Sequence, residues 1–114
     1  MNADRTRPER LLPLPPVWLD ILLALCAEDL HGYAVMQQVA RQSDGPLNPG
    51  TLYRALARLL ESALIEELDE RPREHDDERR RYYRVTPFGR QVARAEIARL
   101  ARVVARAAAV NLHA

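Results

Sequence analysis

The stretch "NPGTLYRALARLL", residues 48–60, opens on a turn-forming pair and continues as a helical repeat. Asn48 suits an N-cap, because its side-chain oxygen can accept an amide that the first helical turn leaves unpaired. Pro49 suits the first helical position, where a missing N–H costs nothing. Leu52, Leu56, Leu59, Leu60 and Ala63 then recur at helical spacing and are expected to face a core. Thr51, Arg54, Arg58 and Ser62 fall outside that stripe. Arg54 and Arg58 stand at i and i+4 on one side, with Thr51 a turn earlier. The segment reads as a helix that buries one face and presents a polar, cationic one.

Upstream, residues 1–15 are polar and then proline-punctuated, which predicts a flexible or extended arm. From Val17 to Ala27, the residues Trp18, Ile21, Leu22, Leu25 and Cys26 fit one broad helical face, thickened by Leu19 and Leu23. "EDLHGY" interrupts the pattern, "YAVMQQVARQS" resumes it through Met36, Val39 and Ala40, and Gly45 and Pro46 stop it. Downstream, "ALIEEL" and "RRRYYRVT" carry strand signals and imply a hairpin with a charged tip from about Arg71 to Arg79. Thr86 and Pro87 then repeat the cap-and-proline start ahead of a long helix. Two helices, a closely following third, a ribbon and a fourth helix are the order of a winged helix-turn-helix. The expected class is α+β, with residues 16–86 as the winged unit and 87–114 as a C-terminal dimerisation helix.

Composition narrows the function classes. The chain has 114 residues with a formal net charge of +1, but the charge is unevenly placed. Residues 79–114 hold nine arginines against one acid, Glu96, whereas residues 1–78 hold eight against fifteen acids. Positive charge therefore gathers in the late elements, as expected of a surface facing a polyanion. The longest apolar run, "LDILLALCA", is too short to span a bilayer, and no signal-peptide core follows the first arginines, so a cytoplasmic location is expected. Cys26 is the only cysteine and sits among apolar residues, which suits packing better than redox sensing. His31, His75 and His113 lack metal-ligand spacing, and no phosphate-binding loop occurs. Neither an enzyme nor a metal or cofactor site is expected.

The third helix and the ribbon carry the chemistry of a double-stranded DNA reader. Arginine at 54 or 58 can pair bidentately with guanine, and Thr51 can offer a hydroxyl or a methyl to a base edge. The helix N-terminus near Asn48, Gly50 and Thr51 can receive a phosphate oxygen, with the Tyr53 hydroxyl beside it. Arg79, Arg80 and Arg81 form a basic run that can follow phosphates or a narrow minor groove. The competing reading is a solvated face, with the wing arginines offsetting "EHDDE".

Three segments together, "LHGYAVMQQV" (30–39), "GPLNPGTLYRALARLLESALIEE" (45–67) and "RRRYYRVTPFGR" (79–90), resemble the PadR family of bacterial transcriptional regulators in order and spacing. The resemblance spans nearly the whole domain and looks like the short form, with a single C-terminal helix. It implies a dimeric winged-helix regulator, commonly a repressor, that binds a palindromic operator. It also places Tyr33 at the DNA-facing edge of the second helix. One departure is Ala63, where sequences of this kind often carry glycine. If that position needs positive φ, alanine costs roughly 1 kcal/mol there.

In the last helix, Ala93, Ile97, Leu100, Val104 and Ala107 repeat at helical spacing, and arginines occupy much of the rest. Such a stripe is longer than a small domain can cover and is expected to meet a second subunit. A membrane surface fits less well, because Phe88 is its only aromatic. Trp18 and Leu22, with this stripe, could line an intersubunit cleft for a small hydrophobic effector; ordinary packing needs fewer assumptions. The alternative function is a protein-interaction module that uses the last helix without binding DNA.

Overall fold

The computed structural model describes residues 7–42, 47–68 and 81–114. A short 3-10 turn, Pro8–Leu11, leads into α1 (Pro16–Ala27), β1 (Leu30–His31), α2 (Gly32–Gln42), α3 (Pro49–Glu61), β2 (Ile65–Leu68), β3 (Tyr82–Val85) and α4 (Pro87–Ala109). The strands form an antiparallel three-stranded sheet in the order β1-β3-β2, with Leu30 opposite Tyr83 and Ile65 opposite Val85. The sequence reading anticipated a two-stranded ribbon. β1 is too short to show a period of two and lies inside what read as punctuation.

One core joins every layer. Ile21, Leu22 and Leu25 from α1 meet Val35 and Val39 from α2, Leu52, Ala55, Leu56 and Leu59 from α3, and Val85 and Val92 from β3 and α4. α1 is apolar nearly all round, and its excess ends up outside: Leu23 is exposed. The inward stripe of α3 includes Ala55 and leaves Leu60 half-buried.

Ala63 does not face inward as expected. It lies beyond the helix, exposed, with φ of 60°. Its N–H bonds the Leu60 carbonyl at 3.1 Å, and the Leu64 N–H bonds the Leu59 carbonyl at 2.9 Å, which closes α3 in a Schellman motif. The left-handed position that usually takes glycine is occupied by alanine.

α4 belongs to the core at one end and projects at the other. Gly89, Val92, Ala93 and Glu96 are buried, and from Ile97 onward the helix is half or fully exposed. Its start is locked to the end of α3. The Thr86 hydroxyl donates to the Ala63 carbonyl at 2.7 Å and accepts from the Gly89 N–H at 2.9 Å. A Cβ on Gly89 would collide with the Leu64 carbonyl oxygen, so only glycine allows this approach.

The segment before α1 is also fixed. The 3-10 turn packs on α4, and Leu14 is buried with its N–H on Glu96 Oε2 at 3.0 Å. Residues 1–15 were expected to form a flexible or extended arm; the described part, residues 7–15, forms a strap across α4. Glu96 is only 2% exposed and also receives Arg99 Nε at 2.6 Å on its other oxygen. That hydrogen bond, joined by the Leu14 N–H and opposed by burial, holds the carboxyl below the usual carboxylate range.

Candidate nucleic-acid interface

The N-terminus of α3 forms as its sequence dictates. The Gly50 N–H donates to Asn48 Oδ1 at 2.7 Å, and Pro49 occupies the first turn. With Leu52, Ala55, Leu56 and Leu59 committed to the core, Tyr53, Arg54 and Arg58 are left exposed and Thr51 half-buried. Arg54 Nη2 donates to Thr51 Oγ1 at 3.4 Å, and Arg54 Nη1 lies 3.4 Å from where a Gly50 Cβ would stand. The Arg54 guanidinium therefore folds back over the first turn of α3. Neither Arg54 nor Arg58 forms an ion pair among the described residues.

Tyr33 and Tyr53, 58% and 52% exposed, gather at the start of α2. The Tyr53 ring lies 3.7 Å from the position a Gly32 Cβ would take. His31 Nδ1 accepts the Ala34 N–H at 3.2 Å and so caps α2 from outside. This role was not read from the sequence, although the spacing of the two residues is that of an N-cap and N3. The His31 ring also meets Tyr82 edge-on, with centroids 5.4 Å apart.

Arg79, Arg80 and the acidic tip lie outside the described residues. Arg81 is exposed but pairs with Glu67 of β2 at 3.1 Å, an exchangeable surface contact. Arg84 pairs with Asp29 at 3.0 Å, linking β3 to the turn after α1. Burial raises the Tyr83 phenol above its ordinary range, with Glu67 adding to the effect, so this tyrosine acts as core.

The residues assigned to dimerisation divide. Ala93 is buried in the core and offers no exposed surface. Ile97 and Val104 are exposed, the latter by 64%, and Leu100 and Ala107 are half-buried. Val103, Val110 and Leu112 extend the exposed apolar surface and were not anticipated. The effector pair also separates. Leu22 is 0% exposed and belongs to the core. Trp18 instead walls a solvent-open groove of about 370 Å³, formed by residues 15–18 on one side and Thr51, Arg54, Ala55 and Arg58 on the other. No cluster of metal-ligating side chains occurs among the described residues.

A capped α2–α3 pair on a shared core, a small antiparallel sheet behind it and a long closing helix define a winged helix-turn-helix of the kind found in DNA-binding transcriptional regulators. Residues 21–95 match the transcriptional regulator PadR-like family, and the chain belongs to that family. A PadR family transcription regulator from hypervirulent Clostridium difficile R20291 superposes with a TM-score of 0.73 at 25% identity, over 84% of this chain and 98% of that one. A transcriptional regulator from Clostridium thermocellum gives 0.65 at 25% identity, over 90% of each chain. RosR of H. salinarum shares the fold, with a TM-score of 0.64 at 23% identity over 84% of this chain and 79% of its own. An uncharacterized 37.1 kDa protein in transposon TN4556 of Streptomyces fradiae is 37% identical over 86 residues, which are 75% of this chain. The match covers only 23% of that curated relative's length. Family membership places the chain among transcriptional regulators.

Proposed function

We propose that the chain is a sequence-specific DNA-binding regulator that acts in the cytoplasm as a homodimer, represses transcription and recognises a palindromic operator. The observation that carries this reading is the face of α3. Its apolar side packs on the core, while Arg54 and Arg58 stand exposed beside a half-buried Thr51, with neither guanidinium in an ion pair among the described residues. Arg54 and Thr51 read bases in the major groove, and the α3 N-terminus with Tyr33 and Tyr53 holds the flanking phosphates. Arg79, Arg80 and Arg81 supply wing contacts, with Arg81 exchanging Glu67 for a phosphate.

The homodimer is built on the distal half of α4, where Ile97, Leu100, Val104 and Ala107 are joined by Val103. Two copies so joined present two reading helices, which is what a two-fold operator requires. No described helix is long and apolar enough to cross a membrane. The direct test is selection from a randomised duplex library followed by footprinting. A two-fold symmetric motif with a matching protected region supports the proposal. Failure to enrich any motif with folded, dimeric protein would turn the assignment toward an interaction module built on α4.

A further inference from the structure

The groove beside Trp18 shares its residues with the face assigned to DNA. One wall is apolar and starts at the end of the strap, with Pro15, Pro16, Val17 and Trp18. The opposite wall is polar and cationic, with Thr51, Arg54 and Arg58 around a small Ala55. No acid lines it. The strap is held from behind by the bond between the Leu14 N–H and Glu96, so the apolar wall is a fixed part of the fold. Its volume of about 370 Å³ falls within the range of small-molecule sites, ~300–1,000 Å³.

From this pairing of walls we infer that the groove is a binding site for a small aromatic phosphate, a planar ring bearing a phosphomonoester, and that such a ligand excludes DNA by occupying the same side chains. The ring lies against the Trp18 indole and the prolines, where stacking and burial favour a flat apolar body. The phosphate lies toward Arg54 and Arg58. A phosphomonoester carries about −1.5 to −2 at neutral pH, which matches two guanidinium groups better than a carboxylate does. Thr51 already accepts from Arg54, which leaves its own hydroxyl proton to donate to a phosphate oxygen. The ligand site stands on the groove alone. Its regulatory consequence rests on the DNA reading proposed above, and it requires no conformational relay, because Arg54 and Arg58 cannot serve the ligand and a base pair together.

Trp18 is the only tryptophan of the chain, so its emission reports the groove directly. Full-length protein is titrated with phenyl phosphate, with inorganic phosphate as the anion without a ring and benzyl alcohol as the ring without a charge. The expected result is a saturable emission change with phenyl phosphate and at least tenfold weaker binding of the other two. Arg54→Gln combined with Arg58→Gln, both at exposed positions, is expected to weaken phenyl phosphate at least tenfold with an unchanged melting temperature. On the selected operator, the apparent dissociation constant for DNA should rise in proportion to phenyl phosphate without reaching a plateau. Absence of saturation, equal binding of inorganic phosphate, full binding by the double variant, or a plateau in the competition would each overturn the inference. The emission titration contains no DNA, so the two readings fail separately. Phenyl phosphate bound by a protein that selects no motif refutes the DNA reading alone, and a selected motif without phenyl phosphate binding refutes the groove site alone.

Discussion

Helices α3 and α4 begin alike, with Asn48-Pro49 and Thr86-Pro87 at the cap and first helical position, and they end alike, with Ala63 and Asn111 at φ of 60° and 65°. The same pair of closing bonds seals both. Leu64 N–H reaches the Leu59 carbonyl at 2.9 Å in one, and Leu112 N–H reaches the Ala107 carbonyl at 2.8 Å in the other. Their surroundings differ completely. The α3 cap is exposed, with the Arg54 guanidinium lying over the first turn, whereas the α4 cap is bonded to the Ala63 carbonyl and pressed against Leu64. α3 buries one face along its length, and α4 buries its first part and leaves the rest uncovered. Local signals set where each helix starts and stops. Burial of the cap and of the face decides whether a helix anchors the fold or leaves a face uncovered.

The largest expected effect comes from breaking the distal half of α4 without touching α3. Leu100→Asp with Val104→Asp places charges in the proposed subunit contact and is expected to yield folded monomers in sedimentation. Operator affinity should fall by about 100-fold or more, because one half-site no longer assists the other. Monomers that retain full affinity would detach α4 from DNA recognition.

The proximal half of α4 is tested by Gly89→Ala. The added methyl meets the Leu64 carbonyl and lies 2.8 Å from Val85 Cγ2. A loss of about 2–3 kcal/mol is expected in urea unfolding at fixed protein concentration. A smaller loss of about 1.5 kcal/mol at neutral pH is expected for Glu96→Gln, which keeps an acceptor for Leu14 but gives up the charge that Arg99 uses. Because the folded Glu96 titrates below its unfolded value, its contribution is full above the ordinary carboxylate range and is lost as pH falls through the folded value. Wild type should therefore lose its advantage over Glu96→Gln on acidification, and a difference that is independent of pH would contradict the assignment. The smallest effect is a gain. Ala63→Gly relieves a left-handed alanine and should raise stability by about 0.5–1 kcal/mol, seen as a higher unfolding midpoint.

Much of the fold was readable because it is written in local chemistry. Asn48, Pro49, Thr86 and Pro87 announce two helix starts in sequence, and all appear where expected. What escaped depended on contacts distant in the chain. β1 exists because β3 pairs with it, and nothing within Leu30–His31 marks a strand. Glu96 entered the sequence reading only as a charge count and was given no structural role. Its signal was its solitude, as the only acid among residues 79–114, and its partner Leu14 lies in a segment that looked unattached. The periodicity of α4 was real but could not show where the protomer's own core ends, so Ala93 joined a stripe whose exposed part starts at Ile97. In the candidate site, the exposure of Arg54 and Arg58 followed from the helical period. That Trp18 stands across a groove from them did not, because only the tertiary fold brings α1 beside α3.

The central claim is that the exposed face of α3 reads base pairs, and it is tested most directly by Arg54→Ala measured against the selected operator and every single-base variant of it. The account predicts that discrimination collapses by about 1–3 kcal/mol at one base pair of each half-site and stays intact elsewhere. Equal weakening on all sequences would make Arg54 a phosphate contact. Unchanged affinity and unchanged discrimination across the whole set would contradict the claim that this helix face recognises DNA through Arg54.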